Sequence, residues 1–147
     1  MDPKLTFADL EQIASALGVP IVLPFPMWSR TGWYPISRVI VLEARDWHPL
    51  VLAHELAHSV APRLRPRIED RYNFAITLPQ VNIHCRAIRV EEAIADAAAT
   101  ELTGFTRADV DFISGYPPVT PLTLTAAYVA ARAKETVAHL LSLRGTP

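Results

Sequence analysis

The chain has 147 residues, half of them hydrophobic, which is enough for a single domain with a sizeable core and too apolar for a disordered tail. Its formal net charge of −1 excludes the strong basic footprint of a dedicated nucleic-acid binder, though not a local basic patch. The single cysteine, Cys85, excludes a disulfide framework within one chain.

Residues 1–20 lack a basic segment followed by a long apolar stretch. No apolar run approaches the roughly 20 residues that span a bilayer. A soluble, cytoplasmic protein is the expectation. Thr6 and Asp9 have the spacing of a capping box, and Phe7, Leu10, Ile13, Ala14 and Leu17 follow helical periodicity. A first helix is therefore predicted over 7–17, closed by Gly18. Val19 to Leu23 reads as a strand, stopped by the prolines at 24 and 26. Gly32 to Tyr34 and Arg38 to Leu42 read as two more, joined by a tight turn near Pro35 and Ser37.

Asp46 is the expected N-cap of a second helix, from about Trp47 to Val60, with Pro49 in its first turn and Pro62 at its end. Arg63, Arg65, Arg67 and Arg71 alternate with prolines and acids, which predicts a solvated loop. Phe74 to Leu78 is a candidate short strand. A helix from about Ala87 to Leu102 follows, ended by Gly104. Thr106 and Asp109 repeat the capping-box spacing and open a short helix that Gly115 closes. The last helix runs from about Leu122 to Leu143. The order is that of an α+β domain with a small sheet of three or four strands.

The chemistry lies in His54-Glu55-Leu56-Ala57-His58. Two histidines four apart on a helix share one face, so their imidazoles can hold one Zn²⁺ at about 2.0–2.1 Å each. Glu55 stands beside the metal, where it can act as a general base toward water. The pattern has only three fixed positions and arises by chance in many sequences. Ordinary half-buried histidines are the competing explanation.

A catalytic zinc site needs a third protein ligand and keeps a fourth position open. Glu92 and Asp96 are again one helical turn apart on one face. Glu92 can supply the third ligand, and Asp96 can accept the N–H on the far side of a ligating imidazole and so fix its tautomer. Acidic residues in a helix's first turn, favoured by the helix dipole, are the alternative explanation. His84 is the alternative third ligand, and Cys85 a softer one. Tyr34, Tyr72, Tyr116, His84 and the loop arginines are candidates to stabilise an oxyanion, with Tyr34 read as a core strand aromatic instead.

His54-Glu55-x-x-His58 followed by Glu92-x-x-x-Asp96 resembles the gluzincin arrangement of two histidines and one glutamate on zinc. In element order, the chain resembles the ImmA/IrrE family of small intracellular metalloproteases. Glu91-Glu92-Ala93-Ile94-Ala95-Asp96-x-x-Ala99 is similar to the second motif of the zincin-like metallopeptidase domain in ArdC-type anti-restriction proteins. Ser59-Val60 departs from that branch, which has Trp and a small residue there.

The resemblance implies a minimal zincin-like domain over 1–147. It also implies a zinc endopeptidase with metal ligands His54, His58 and Glu92, general base Glu55, and Asp96 behind a ligand histidine. The implied substrate is a protein or peptide, regulatory proteins such as repressors included. The alternative function is a non-catalytic zinc-containing binding or anti-restriction-type protein that contacts protein or DNA.

Overall fold

The computed structural model of the chain describes residues 4–26, 28–65, 81–110 and 123–145, with backbone alone for 81–89 and 123–125. The first helix, α1 (Phe7–Leu17), starts at the capping box. Thr6 Oγ1 accepts from the Asp9 N–H at 3.2 Å, and the Asp9 carboxylate accepts from the Thr6 N–H at 2.9 Å. Gly18 closes it at φ 70°, a left-handed conformation that glycine adopts without steric cost.

Three short strands follow: β1 (Ile21–Val22), β2 (Gly32–Tyr34) and β3 (Val39–Val41). The sheet order is β1-β3-β2, with β1 parallel and β2 antiparallel to β3. All three β3 residues are buried, as a central strand covered on both faces requires. β1 is shorter than the apolar run predicts. The Val19 N–H is spent on the Ala14 carbonyl in closing α1, and Pro20 has no N–H to give to a ladder.

The second helix, α2, spans Pro49–Leu64 rather than Trp47 to Val60. Asp46, the N-cap that the sequence predicts, does not cap it. Its carboxylate is taken by the Thr31 hydroxyl at 2.6 Å, and it sits in a 3₁₀ turn, Ala44–Asp46. The N-cap is His48, whose Nδ1 accepts from the Leu50 N–H at 3.0 Å. Pro49 then occupies the first helical position, where a missing N–H costs nothing. Pro62 lies inside the last turn instead of ending the helix. So near the end it removes one hydrogen bond, and the Arg65 N–H still reaches the Ala61 carbonyl at 2.7 Å.

Helix α3 (Val81–Thr103) ends at Gly104, at φ 78°. A 3₁₀ turn, Arg107–Asp109, and helix α4 (Thr123–Ser142) complete the described chain. Thr106 and Asp109 form the capping box the sequence predicts; Gly115 and the expected strand Phe74 to Leu78 lie outside the described residues. The described residues thus form a mixed α+β arrangement of four helices and a three-stranded mixed sheet. Helix α2 sits at its centre, packed against α1, α3, α4, β2 and β3. Leu52, Leu56, Ala53 and Ala57 bury its core face among Ala95, Ala98, Ala99, Ile40 and Leu42. Among the described residues, no helix is long and apolar enough to cross a membrane.

Arg65 is not the solvated loop residue the sequence predicts; it is buried at the end of α2. Its Nε and Nη2 donate to the two Glu91 carboxylate oxygens of α3 at 2.6 and 3.1 Å, and Nη1 donates to Thr136 Oγ1 of α4 at 3.2 Å. A planar guanidinium on a carboxylate satisfies both charges, so the pair tolerates burial. Removing one partner strands the other. Glu91→Ala should therefore cost about 3–5 kcal/mol in urea unfolding, and adding Arg65→Met should recover much of it. An unchanged midpoint in Glu91→Ala would contradict this clasp. Arg67 and Arg71 lie outside the described residues.

Candidate metal centre

His54 and His58 stand one turn apart on α2, and the packing of Leu52, Leu56 and Ala57 fixes the rotation of that helix. Their Nε2 atoms converge to 3.1 Å. From α3, Glu92 closes the group: its Oε2 lies 3.1 Å from His54 Nε2 and its Oε1 2.9 Å from His58 Nε2. The alanines at 95, 98 and 99 let α3 approach α2 this closely. Glu92 is buried, and so is His54, at 3 % exposure.

The arrangement fits a metal ion. Two imidazole nitrogens and a carboxylate oxygen all lie within 4.8 Å of one another, so the group can hold one. Donors at about 2.0–2.1 Å around a tetrahedral ion are themselves about 3.3 Å apart, close to the spacing seen here. The far side of His54 supports the same reading. Its Nδ1 lies 2.8 Å from Asp96 Oδ1, which places the proton on Nδ1 and leaves Nε2 as the lone-pair donor.

Glu55 is buried beside the two histidines, at 8 % exposure. The Trp33 backbone N–H faces its carboxylate and favours the charged form. The sheet explains why that N–H is available. Ile40 donates to the Pro20 carbonyl on the β1 side, so its backbone polar groups face away from β2. Trp33 is Ile40's antiparallel partner and therefore directs its own N–H away from β3.

The charges are strongly coupled. Burial alone would lower the His54 pKa; hydrogen bonds to Asp96 and Glu92 overcome it and raise the imidazole from 6.5 to about 10. His58 is raised too, burial again being outweighed by the Glu92 charge. Burial would raise Glu92, but His58 and the two imidazole hydrogen bonds hold it well below the usual carboxylate range. Glu55 is raised, chiefly by burial and despite the two histidines.

These directions predict how the metal-free protein responds to alkali. A histidine raised in the fold contributes stability that is complete below pH 6.5 and lost as pH climbs toward about 10. Glu92 contributes above pH 4.5, and Glu55, raised by burial, subtracts there. The Tm of chelator-treated protein should therefore fall between pH 6.5 and about 10. Zinc-loaded protein should fall less, because a metal takes the place of the imidazole protons. Differential scanning fluorimetry across that range measures both; a rising Tm for the metal-free protein would be the wrong sign.

One further contributor has no motif of its own in the sequence. Arg107, in the turn after α3, donates from Nε to Asp96 Oδ2 at 2.8 Å, and its Nη2 lies 3.8 Å from Glu92 Oε2. Its only sequence signal is its place: a lone cation just past the helix that carries two acidic site residues.

Other candidates fall elsewhere. Tyr34 is half-buried on β2 rather than in the core, and its hydroxyl donates to the Arg30 carbonyl at 2.8 Å. His48 caps α2 and packs edge-on against Phe105. Tyr72 and Tyr116 lie outside the described residues, as do the side chains of His84 and Cys85.

Comparison with protein-family models, with curated proteins and with solved structures finds no match for this chain. Its geometry defines a two-histidine, one-carboxylate group, buried except for half-buried His58, with a separate buried glutamate beside it.

Proposed function

We propose that the chain is a zinc-dependent endopeptidase of the gluzincin type, built on a single small zincin-like domain. The observation that carries this reading is the convergence of His54 Nε2, His58 Nε2 and the Glu92 carboxylate next to buried Glu55. The same donor set also suits Fe²⁺. Glu55 favours hydrolysis, because neither a structural site nor a redox site needs a separate buried carboxylate beside its ligands.

His54, His58 and Glu92 would hold the ion. Once bound, Zn²⁺ would supply Lewis acidity, easing the ionisation of water and polarising a carbonyl. Glu55 receives the proton of the attacking water on a carboxylate oxygen and passes it to the departing amine. Its burial, which raises its proton affinity, suits that exchange. Asp96 keeps the proton on His54 Nδ1, so that Nε2 remains a donor. Among the described residues β2 pairs only with β3. A peptide substrate is taken to lie beside this outer edge, next to Glu55 and the Trp33 N–H that faces it. By the resemblance to ImmA/IrrE proteins, the substrate class is a regulatory protein such as a repressor, met in the cytoplasm.

Digestion of a peptide mixture, read by mass spectrometry, tests this. Defined cleavages should appear with zinc, vanish with a chelator and return on adding zinc back. Zinc-loaded protein that cleaves no peptide would contradict it and favour a binding protein that keeps the metal for structure.

A further inference from the structure

We propose that Arg107 is a positioning residue of the metal centre, clamping the carboxylate that orients His54. The inference rests on the metal reading above, and its test separates the two.

Three features define the clamp. Asp96 uses its two oxygens on different partners, Oδ1 toward His54 Nδ1 and Oδ2 toward Arg107 Nε, both at 2.8 Å. The guanidinium also reaches toward Glu92, with Nη2 at 3.8 Å from Oε2. One cation thus spans the carboxylate proposed to bind metal and the carboxylate behind it, offsetting their mutual repulsion. Finally, the backbone that presents Arg107 is fixed. Gly104 turns the chain at φ 78°, and the Thr106 N–H donates to Asp109 Oδ2 at 2.7 Å.

A carboxylate free to rotate holds an imidazole loosely. Asp96 is partly exposed, its side chain at 22 %, so water competes for its oxygens. With Oδ2 held by Arg107, Oδ1 faces His54. The chain Arg107–Asp96–His54 therefore orients Nε2 toward the ion. Arginine suits this role because a rigid fork can address two carboxylates; a lysine ammonium acts as a point charge.

The test is metal affinity by chelator competition, with the visible spectrum of the Co²⁺ form as a second readout. Arg107→Ala should weaken Zn²⁺ binding about 10-fold, the lower end of the range for loss of an outer-shell partner, because the arginine acts through Asp96. Arg107→Lys, which keeps the charge and the fold, should still lose about threefold or more, because the fork is gone. The same Arg107→Ala change in an Asp96→Asn background should cost less than about threefold, because the residue acts mainly through Asp96. Co²⁺ bands should shift or weaken in Arg107→Ala.

Wild-type affinity in both Arg107→Ala and Arg107→Lys would overturn the clamp. So would an equal loss in the Asp96 and Asp96→Asn backgrounds, which a merely structural arginine would give. Should Arg107→Ala lose its far-UV circular dichroism, the Arg107→Lys pair in the two backgrounds decides alone. Wild-type protein that takes up no metal would overturn the underlying metal reading, a distinct result.

Discussion

Glu55→Gln is expected to lower kcat for peptide cleavage by about 10²- to 10⁴-fold, the usual contribution of a positioned general base. Zinc content should stay unchanged. Glutamine has the same shape and keeps an acceptor oxygen in the same place. It cannot take up a proton at neutral pH, so the substitution removes proton transfer and leaves His54, His58 and Glu92 in place. Burying a neutral amide also removes a charge that burial disfavours, so Tm should stay level or rise. A variant that keeps zinc and full activity would remove Glu55 from the mechanism. A variant that loses zinc would instead make Glu55 part of the ligand set.

The second large effect concerns the ligands. A metal that binds only the folded chain stabilises it by about 4 kcal/mol when present at 1,000 times its dissociation constant. For a chain of this size that is roughly 8–16 °C in Tm. Wild-type protein should show such a rise on adding zinc. His58→Ala should show almost none at the same zinc concentration, because a glutamate and one histidine do not close a site. The comparison is internal to each variant, so any cost of the substitution to the metal-free fold cancels. Equal zinc-dependent rises in wild-type protein and His58→Ala would place the metal elsewhere.

Much of the candidate site was legible because helical periodicity is geometric. Residues four apart share a face whatever surrounds them, so His54 with His58 and Glu92 with Asp96 could be paired from spacing alone. That the two faces meet could be read only from composition, in the alanines at 95, 98 and 99 that let helices close up. Arg107 escaped because its role depends on the path of the chain after Gly104, which no local pattern encodes.

Arg65 was misread for a related reason. Alternation with prolines and acids marks a solvated loop when the partner is out of view, and Glu91 lies 26 residues away. The start of α2 moved because two capping residues competed. Asp46 is the better cap by type, but Thr31, fifteen residues earlier, claims its carboxylate, so His48 caps instead. Elements whose limits are set by local stereochemistry, α1 between Thr6 and Gly18 above all, came out where the sequence put them.

The metal centre itself is tested most directly by the zinc content of reconstituted, exhaustively dialysed protein, measured by elemental analysis alongside Glu92→Ala. Three donors from two helices predict about one equivalent per wild-type chain and a marked loss in the variant. Less than about a tenth of an equivalent in the wild type would contradict the centre, and full retention in Glu92→Ala would contradict its third ligand.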